Sequence, residues 1–384
     1  MAESTMLDDV DNKSTSSMQE RKLQVQYLPT EDVGLPRRCP APALKRPLPL
    51  PVWLSAPTDL DVMLDPTTPL KDRLTIEIGR FVEHTQDAVK LAQVDINASL
   101  AQLTACVQTK WPTATATCFG SFASGLWLPS SDIDVVIQGI LDDEEALSDD
   151  YQAQVDQLEV ILSLLLEKDW VARAVVVGTK VPVIKLDVAG SGRQIDIAVE
   201  TPHTRQGLRA TEVVRAGVAS MAQMYPLVLV LKSFLREKGL NNAFLGGLSS
   251  YALVLLCLHY LLTSPPEQSV GEAVLGFLEY YGTVFDHTMT CITWCIDDEG
   301  RLLSREYFVP PTMKGALPVP RLVLDDPSDL SECGLFNVGA GAYALARVVA
   351  AIENAFYAIT FHRPTRFTPT PLSSVIHWSG PSAL

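Results

Sequence analysis

Long apolar runs are missing from this 384-residue chain. The longest apolar stretch, Tyr251–Leu262, has about 12 residues and contains His259, whereas a bilayer-spanning helix needs about 20 apolar residues. The first 22 residues are polar, so we expect neither a signal peptide nor contact with a membrane. An excess of positive charge is missing as well. The net charge of −15 argues against capture of nucleic acid by a broad basic surface.

Cysteine is also sparse. Seven cysteines, an odd number without an export signal, are typical of free thiols in a reducing compartment. His287, Cys291 and Cys295 recur every four residues, but no second ligand pair follows at a spacing typical of zinc sites. We therefore interpret TMTCITWCI as a strand with buried thiols.

Two well-known motifs are absent. The segment GSFASG is not followed by Lys-Ser or Lys-Thr, which excludes a P-loop NTPase. Neither GSFASG nor GGLSSY contains the G-x-S-x-G elbow that a serine hydrolase of that type needs.

The most informative stretch is CFGSFASGLWLPSSDIDVVI, residues 118–137. It predicts a strand end, a Gly-Ser turn, a short helical start and a second strand. Asp132 and Asp134 then project from one face of that strand, about 7 Å apart along the backbone. Two such carboxylates repel each other unless a cation or a proton intervenes. By flexing inward they can share divalent cations about 3.5–4 Å apart, as in two-metal phosphoryl-transfer sites. Gly120 and Ser121 come just before, where backbone N–H groups can cradle a phosphate.

The rest of the chain divides by composition. A polar and then proline-rich segment, residues 1–52, predicts a disordered tail, in which Arg37-Arg38 and Lys45-Arg46 are candidates for a nuclear import signal. Hydrophobic periodicity predicts two helices between Leu70 and about Lys110, one helix over 151–168, and strands over 113–119, 132–138, VARAVVVGT, VPVIKLDV and RQIDIAV. After Thr201 it predicts helices over 207–221, 225–238, 247–263, 271–282 and 339–358, short strands and loops over 283–335, and a tail over 360–384.

Charged residues are distributed unevenly. Asp196 stands between isoleucines in the last predicted strand. It is either an ordinary surface residue or, if that strand runs beside 132–137, the third carboxylate of a metal cage. One acidic loop holds six negative charges, Asp142, Asp143, Glu144, Glu145, Asp149 and Asp150. Basic residues gather in the middle of the chain, as solvated faces or as a cleft for an anionic substrate: Lys180, Lys185, Arg193, Arg205, Arg209, Arg215, Lys232, Arg236 and Lys238.

Here the sequence resembles a known family. Gly-Ser followed by Asp-x-Asp and a third strand Asp is similar to the polymerase-beta-like nucleotidyltransferases. Four longer motifs, between about Pro51 and Tyr357, closely resemble the noncanonical poly(A) polymerases of the TRAMP type, also called DNA polymerase sigma. They are GSFASGLWLPSSDIDVVI, KVPVIKLDV with QIDIAVE, PLVLVLKSFLREKGLNNAFLGGLSSYALVLL, and LGFLEYYGTVFD.

The resemblance implies an α/β plus mainly α fold. A nucleotidyltransferase catalytic domain with a mixed sheet, 111–200, would face a helical central (PAP-associated) domain, 53–110 and 201–358, across a cleft. Tails would cover 1–52 and 359–384. The implied reaction is template-independent addition of AMP from ATP to RNA 3′ ends with two Mg²⁺ or Mn²⁺ ions, in nuclear RNA surveillance coupled to the exosome. The implied partners are a zinc-knuckle RNA-binding protein and an RNA helicase, in the nucleus or nucleolus.

The resemblance also implies residue roles. Asp132, Asp134 and Asp196 match the metal ligands, with Asp196 helping to place the ion that activates the primer 3′-hydroxyl. Gly120 and Ser121 match the turn that contacts the triphosphate. Lys232 and Arg236, one helical turn apart, match basic residues that meet the β- and γ-phosphates, or else form an ordinary basic helix face. Ser250 and Tyr251 match a phosphate-contacting serine and a base-stacking tyrosine, although a Tyr on an apolar helix is usually part of a core.

Two departures from the family concern specificity. Gln206-Gly207 stands where the family has Asn-Gly near the ribose. After Asp326-Pro327, Glu332 and Cys333 replace the Asn-Asp of the base-reading loop. A terminal uridylyltransferase on the same scaffold is therefore the alternative to a poly(A) polymerase. A catalytically silent RNA-binding scaffold is a further alternative, but all three aspartates are present.

Overall fold

The structure is a computed structural model. It describes residues 50–54, 67–140, 150–178, 181–308, 321–328 and 337–377, together with Asp59, Val62, Met63, Asp65 and Leu330. Several predicted features therefore lie outside the described residues: nearly all of the tail over 1–52 with its import signal, the acidic loop over 142–149, and Glu332 and Cys333.

A mixed five-stranded sheet has the strand order β1-β2-β5-β4-β3. Its strands are β1 Thr115–Phe119, β2 Ile133–Gln138, β3 Val171–Val177, β4 Val183–Val188 and β5 Gln194–Val199. Only β2 and β5 pair in parallel, and the other neighbours are antiparallel. All five predicted strands and the predicted mixed sheet are confirmed. The side chains of Ile133, Ile195 and Ile197 are fully buried, because β2 and β5 lie inside the sheet.

The longer helices are α1 Leu70–Gln108, α2 Tyr151–Leu166, α3 Pro202–Ser220, α4 Met224–Glu237, α5 Ser250–Thr263, α6 Val270–Glu279 and α7 Leu345–Thr360. A second, two-stranded sheet consists of β6 Thr290–Ile296 and β7 Leu302–Phe308. The strand that we predicted in place of a zinc site is thus confirmed, with Cys291 buried in it. The five cysteines of the described chain are free, as predicted.

Helix α1 is one helix of 39 residues, so the prediction of two helices was wrong. Residues 83–93 contain no Gly or Pro to end a helix, but the buried face changes partners there. Leu74 and Ile78 belong to a core among α4–α7, whereas Ile96 and Leu103 belong to a second core under the five-stranded sheet. The change of core interrupts the apolar periodicity without interrupting the backbone.

Helix α3 begins five residues before the predicted start at 207. The Thr201 side chain accepts a hydrogen bond from the Thr204 backbone N–H, and the Thr204 hydroxyl accepts one from the Thr201 backbone N–H. Pro202 occupies the first turn, where the lack of an N–H costs nothing. This capping box starts α3 directly after β5, the strand of Asp196.

Among the described residues no single helix is long and apolar enough to cross a membrane. The pair α3 and α4, bent by 119°, passes that test only when the two helices are taken together, by length and composition.

The described end of the chain is not a tail. Thr370 and Leu372 are fully buried, which corrects the prediction for 359–384. Both contact Glu77 of α1, whose carboxylate accepts hydrogen bonds from the Thr370 hydroxyl and from the Leu372 backbone N–H at 2.8 Å. The Trp53 indole donates a third, at 3.1 Å. One buried carboxylate therefore joins α1 to the segments at both ends of the described chain.

We expect Glu77→Gln to change the pH dependence of stability. Burial raises the pKa of Glu77 to about 7, although its three hydrogen bonds favour the charged form. Because the pKa is raised, its favourable contribution is complete below the ordinary pKa of about 4.5 and is lost as the pH rises to about 7. The wild type should therefore lose about 3 kcal/mol more than the variant between pH 5 and pH 8 in urea unfolding. Glu83→Gln, at an exposed position of the same helix, is the control. An equal loss in wild type and Glu77→Gln would contradict this.

Candidate active site between the sheet and the helices

The three predicted aspartates lie together near the N-terminal ends of the adjacent strands β2 and β5. Asp134 of β2 pairs in register with Asp196 of β5, and Asp132 comes directly before β2. Lys185 of β4 lies opposite Asp196. Its Nζ atom is 2.8 Å from Asp196 Oδ2 and 3.6 Å from Asp132 Oδ2. The prediction that the strand of Asp196 runs beside that of Asp134 is confirmed.

Burial and like charges dominate the electrostatics of this cluster. Burial raises the pKa of Asp134 to about 7, and the negative charges of Asp196 and Asp132 add to this effect. Burial also raises the pKa of Asp196, against the opposite effect of Lys185. Within the described parts of the chain, no three His, Cys, Asp or Glu side chains are close enough to coordinate a metal ion as they stand. Two of these carboxylates share the ammonium group of Lys185, and an all-oxygen donor set is the kind that would suit Mg²⁺.

The Gly-Ser turn begins where β1 ends. Phe119 pairs with Asp134, and Gly120 follows with a φ of +66°. A Cβ atom at position 120 would lie 2.6 Å from Asp134 Oδ2, so only glycine leaves room for that carboxylate. The Gly120 N–H donates to the Thr211 hydroxyl of α3 at 2.8 Å. The Gly120 N–H is thus already used within the protein, whereas Gly120 and Ser121 both line the cavity described next.

A cavity of about 560 Å³ opens beside the aspartates. Nine of the predicted site residues line it: Gly120, Ser121, Asp132, Asp134, Gly207, Lys232, Arg236, Ser250 and Tyr251. Of the predicted residues, all of which the structure describes, Asp196 and Gln206 do not line it. Asp196 contacts the site through Lys185, and Gln206 contacts Asp326 instead.

Helix α4 supplies the basic wall. Lys232 and Arg236 lie one turn apart and both face the cavity, as predicted. Lys232 is only 6% exposed, and its ammonium donates to the Leu126 carbonyl at 2.8 Å. Burial lowers its pKa to about 8, partly offset by the negative charge of Asp134. Arg236 is exposed.

Helix α5 supplies an aromatic wall. Ser249 caps the helix by accepting a hydrogen bond from the Ala252 N–H at 3.1 Å, which places Ser250 and Tyr251 in the first turn beside the cavity. The Tyr251 hydroxyl donates to Asp326 at 2.7 Å. Tyr251 lines the cavity and is only partly buried against the core; its role in base stacking stays a prediction.

Sequence reasoning missed several residues of the site. Lys185 was noted only as one of many basic residues, although pairing KLDV with QIDIAV as a hairpin would have placed it opposite Asp196. Thr211 and Asn241 carry no local signal: the first holds Gly120 and the second lines the cavity. Asp326 was assigned to a base-reading loop, but its bonds to Tyr251 and Gln206 span 75 and 120 positions.

Comparisons with known proteins agree with this geometry. Residues 80–216 match the family model "Poly(A) RNA polymerase, mitochondrial-like, central palm domain". Poly(A) RNA polymerase protein 1 of Eremothecium gossypii is 28% identical over 301 residues, which cover 76% of this chain and 45% of the relative. Poly(A) RNA polymerase cid14 of Schizosaccharomyces pombe is 30% identical over 274 residues, covering 68% of this chain and 37% of the relative. The chain thus spans less than half the length of these relatives.

Solved structures give the same result for the fold. The polymerase core of TRAMP, an RNA surveillance complex, is 25% identical in sequence. The match covers 85% of this chain and 100% of the TRAMP chain, with a TM-score of 0.66. The RNA terminal uridylyl transferase Cid1 is 19% identical, covers 79% of this chain and 97% of its own, and shares the fold with a TM-score of 0.56. The chain therefore belongs to the noncanonical poly(A) RNA polymerase family of the polymerase-beta-like nucleotidyltransferases.

Proposed function

We propose that this protein is a template-independent RNA 3′-terminal nucleotidyltransferase that adds AMP from ATP, a polynucleotide adenylyltransferase. The observation that carries the proposal is the register of β2 and β5, which sets Asp134, a residue that lines the cavity, beside Asp196. That cavity also presents Ser121, a buried lysine and an aromatic ring. Its volume of about 560 Å³ lies within the range that small-molecule sites occupy. The names of the relatives support the reaction.

The proposed mechanism assigns positioning and electrostatics to the chain's own residues. Asp132, Asp134 and Asp196 would hold two Mg²⁺ or Mn²⁺ ions, which when bound lower the pKa of the primer hydroxyl and neutralise charge on the pyrophosphate. Ser121 and Lys232 orient the triphosphate, and Arg236 adds a planar group of donors at the exposed end. Tyr251 offers a ring to the base. Such fixed groups supply most of the rate in phosphoryl transfer, because they need no reorganisation during the reaction.

A primer-extension assay tests this proposal. A labelled oligo(A) primer is incubated with each of the four nucleoside triphosphates, with Mg²⁺ and then with Mn²⁺. We expect stepwise extension with ATP. Preferential extension with UTP would replace the adenylyltransferase by a terminal uridylyltransferase, and no extension with any nucleotide would contradict the proposal as a whole.

We also propose that primer binding depends on a partner. The net charge of −15 leaves little general attraction for RNA, and solved structures named for the GLD-2/RNP-8 and TRAMP complexes show related folds in assemblies. A zinc-knuckle RNA-binding protein and an RNA helicase are the proposed partners. Strong RNA binding by the purified chain that persists in high salt would contradict this.

The proposed compartment is the nucleus or nucleolus, and the proposed process is RNA surveillance with exosome-coupled decay. The support is the family and the basic pairs Arg37-Arg38 and Lys45-Arg46. A fluorescent fusion of the full chain should enter the nucleus, and replacement of the four basic residues by Ala should reduce entry. Exclusion of the unmodified fusion from the nucleus would contradict the proposal.

A further inference from the structure

Three distant segments meet at the carboxylate of Asp326. Tyr251 at the start of α5 donates its hydroxyl to Oδ1 at 2.7 Å. Gln206 in the second turn of α3 donates its side-chain amide to Oδ2 at 2.9 Å. The Ser328 backbone N–H donates to Oδ1 at 2.9 Å. Both oxygens are thus used, and Asp326 is only 8% exposed.

The backbone around Asp326 is held firmly. The Asp325 N–H donates to the Ile292 carbonyl of β6 at 3.0 Å, and the Trp294 indole donates to the Asp325 carbonyl at 2.8 Å. Trp294 is itself buried. Asp326 is therefore a fixed acceptor, and the side chains that reach it take their positions from it.

The side-chain amide of Gln206 is occupied by its hydrogen bond to Asp326. The capping box at Thr201 fixes the first turn of α3, and Gly207 rather than Gln206 lines the cavity. The Gln206 amide instead extends to Asp326. A glutamine reaches one methylene further than an asparagine, which allows it to make this bond from the same helix position.

The hydrogen bonds around Asp326 come from neutral donors. Among the ion pairs of the described residues, none joins a Lys or Arg to Asp326. Burial and the charge of Asp326 raise the pKa of Tyr251, so its hydroxyl stays a donor. A buried carboxylate that lacks one of its hydrogen bonds is costly. Loss of the Gln206 donor should therefore also loosen the position of Tyr251 at Asp326, and the reverse.

We infer that Gln206 and Asp326 are positioning residues that hold the ring of Tyr251 at the nucleotide pocket. Gln206 acts through Asp326 and does not read the sugar, so the site does not use this side chain to separate ribonucleotides from deoxyribonucleotides. This inference rests on the proposed nucleotidyltransferase function. It assigns a role in nucleotide affinity to the placement of Tyr251 and removes a role in sugar specificity from Gln206.

The test compares Gln206→Met, Tyr251→Phe and the double variant in oligo(A) extension by the full chain. We measure kcat, KM for ATP, and the inhibition constant of dATP as a competing nucleotide. Each single variant should raise KM for ATP about ten-fold, raise the dATP inhibition constant by the same factor, and change kcat by less than about two-fold. The double variant should be no more than about two-fold worse than either single variant, because both act on one carboxylate.

Two further variants keep the test decisive. Gln206→Asn retains the amide but withdraws it by one methylene, so it should behave like Gln206→Met. Gln152→Met removes an exposed Gln–Asp hydrogen bond on α2 and should change none of these constants. Thermal unfolding of each variant checks that it is folded.

The possible results separate the inference from the function on which it rests. Wild type that extends no primer overturns the proposed function. Wild type that extends while Gln206→Met changes ATP and dATP affinity unequally shows direct sugar reading and overturns the inference alone. Unchanged constants in both Gln206 variants, or fully additive effects of Gln206→Met and Tyr251→Phe, overturn it too.

Discussion

Asp134→Ala should abolish primer extension and leave the chain folded. Asp134 is the most buried member of a cluster whose like charges and burial raise its pKa to about 7. Its loss removes one proposed ligand to the ions, and an effect of several kcal/mol corresponds to a rate reduction of about 10³-fold or more. The fold should survive because the substitution relieves the repulsion between Asp134 and the carboxylates of Asp196 and Asp132.

Two measurements check this expectation. Extension rates give the effect on activity, and thermal unfolding with and without Mg²⁺ gives the effect on the ion site. Mg²⁺ should raise the melting temperature of the wild type and leave that of Asp134→Ala unchanged. Asp156→Asn, at an exposed position on α2, is the control for loss of an acidic residue. A variant that extends primers at rates near wild type would show that the site is misplaced.

Lys232→Met should raise the KM for ATP by about 30-fold or more and leave the melting temperature equal or higher. The ammonium of Lys232 is buried beside Asp134 and faces the cavity, where a charge-assisted hydrogen bond to a phosphate is worth about 1.5–3 kcal/mol. Methionine fills a similar volume and removes the cost of burying a charge. Lys238→Met, at the exposed end of α4 and outside the cavity, should change neither quantity.

The pH dependence of ATP binding gives an independent reading of Lys232. Because burial lowers its pKa to about 8, its positive charge is present below pH 8 and is lost as the pH rises through that value. KM for ATP in the wild type should therefore rise between pH 7 and pH 9, and Lys232→Met should remove most of that rise. The same rise in both proteins would assign the effect to another group.

Local patterns were sufficient for most secondary structure. Strands β1–β5 were predicted because their residues alternate or form short runs of Val and Ile bounded by turns. The boundaries of α3 and the unity of α1 were predicted wrongly. The first depends on a Thr–Thr capping box and the second on a helix that passes from one core to another. Neither is a matter of hydrophobic periodicity.

The candidate site divides in the same way. Asp132 and Asp134 share a face because a strand alternates, which is a local property. The position of Asp196 beside them depends on the parallel pairing of β2 with β5, and the bridging position of Lys185 depends on the β4–β5 register. The resemblance to a family predicted the position of Asp196, because family motifs contain residues that the fold brings together. It did not predict the position of Lys185.

The sequence by itself determined the strands, the paired carboxylates, the Gly-Ser turn before them and the basic face of α4, because each follows from neighbouring residues. The tertiary structure alone decided that Gly120 gives its N–H to Thr211, that Lys232 is buried, and that Gln206 and Tyr251 share Asp326. These contacts join residues 75 to 120 positions apart or depend on burial. Such contacts form only when separate elements pack, and no short stretch of sequence contains both partners.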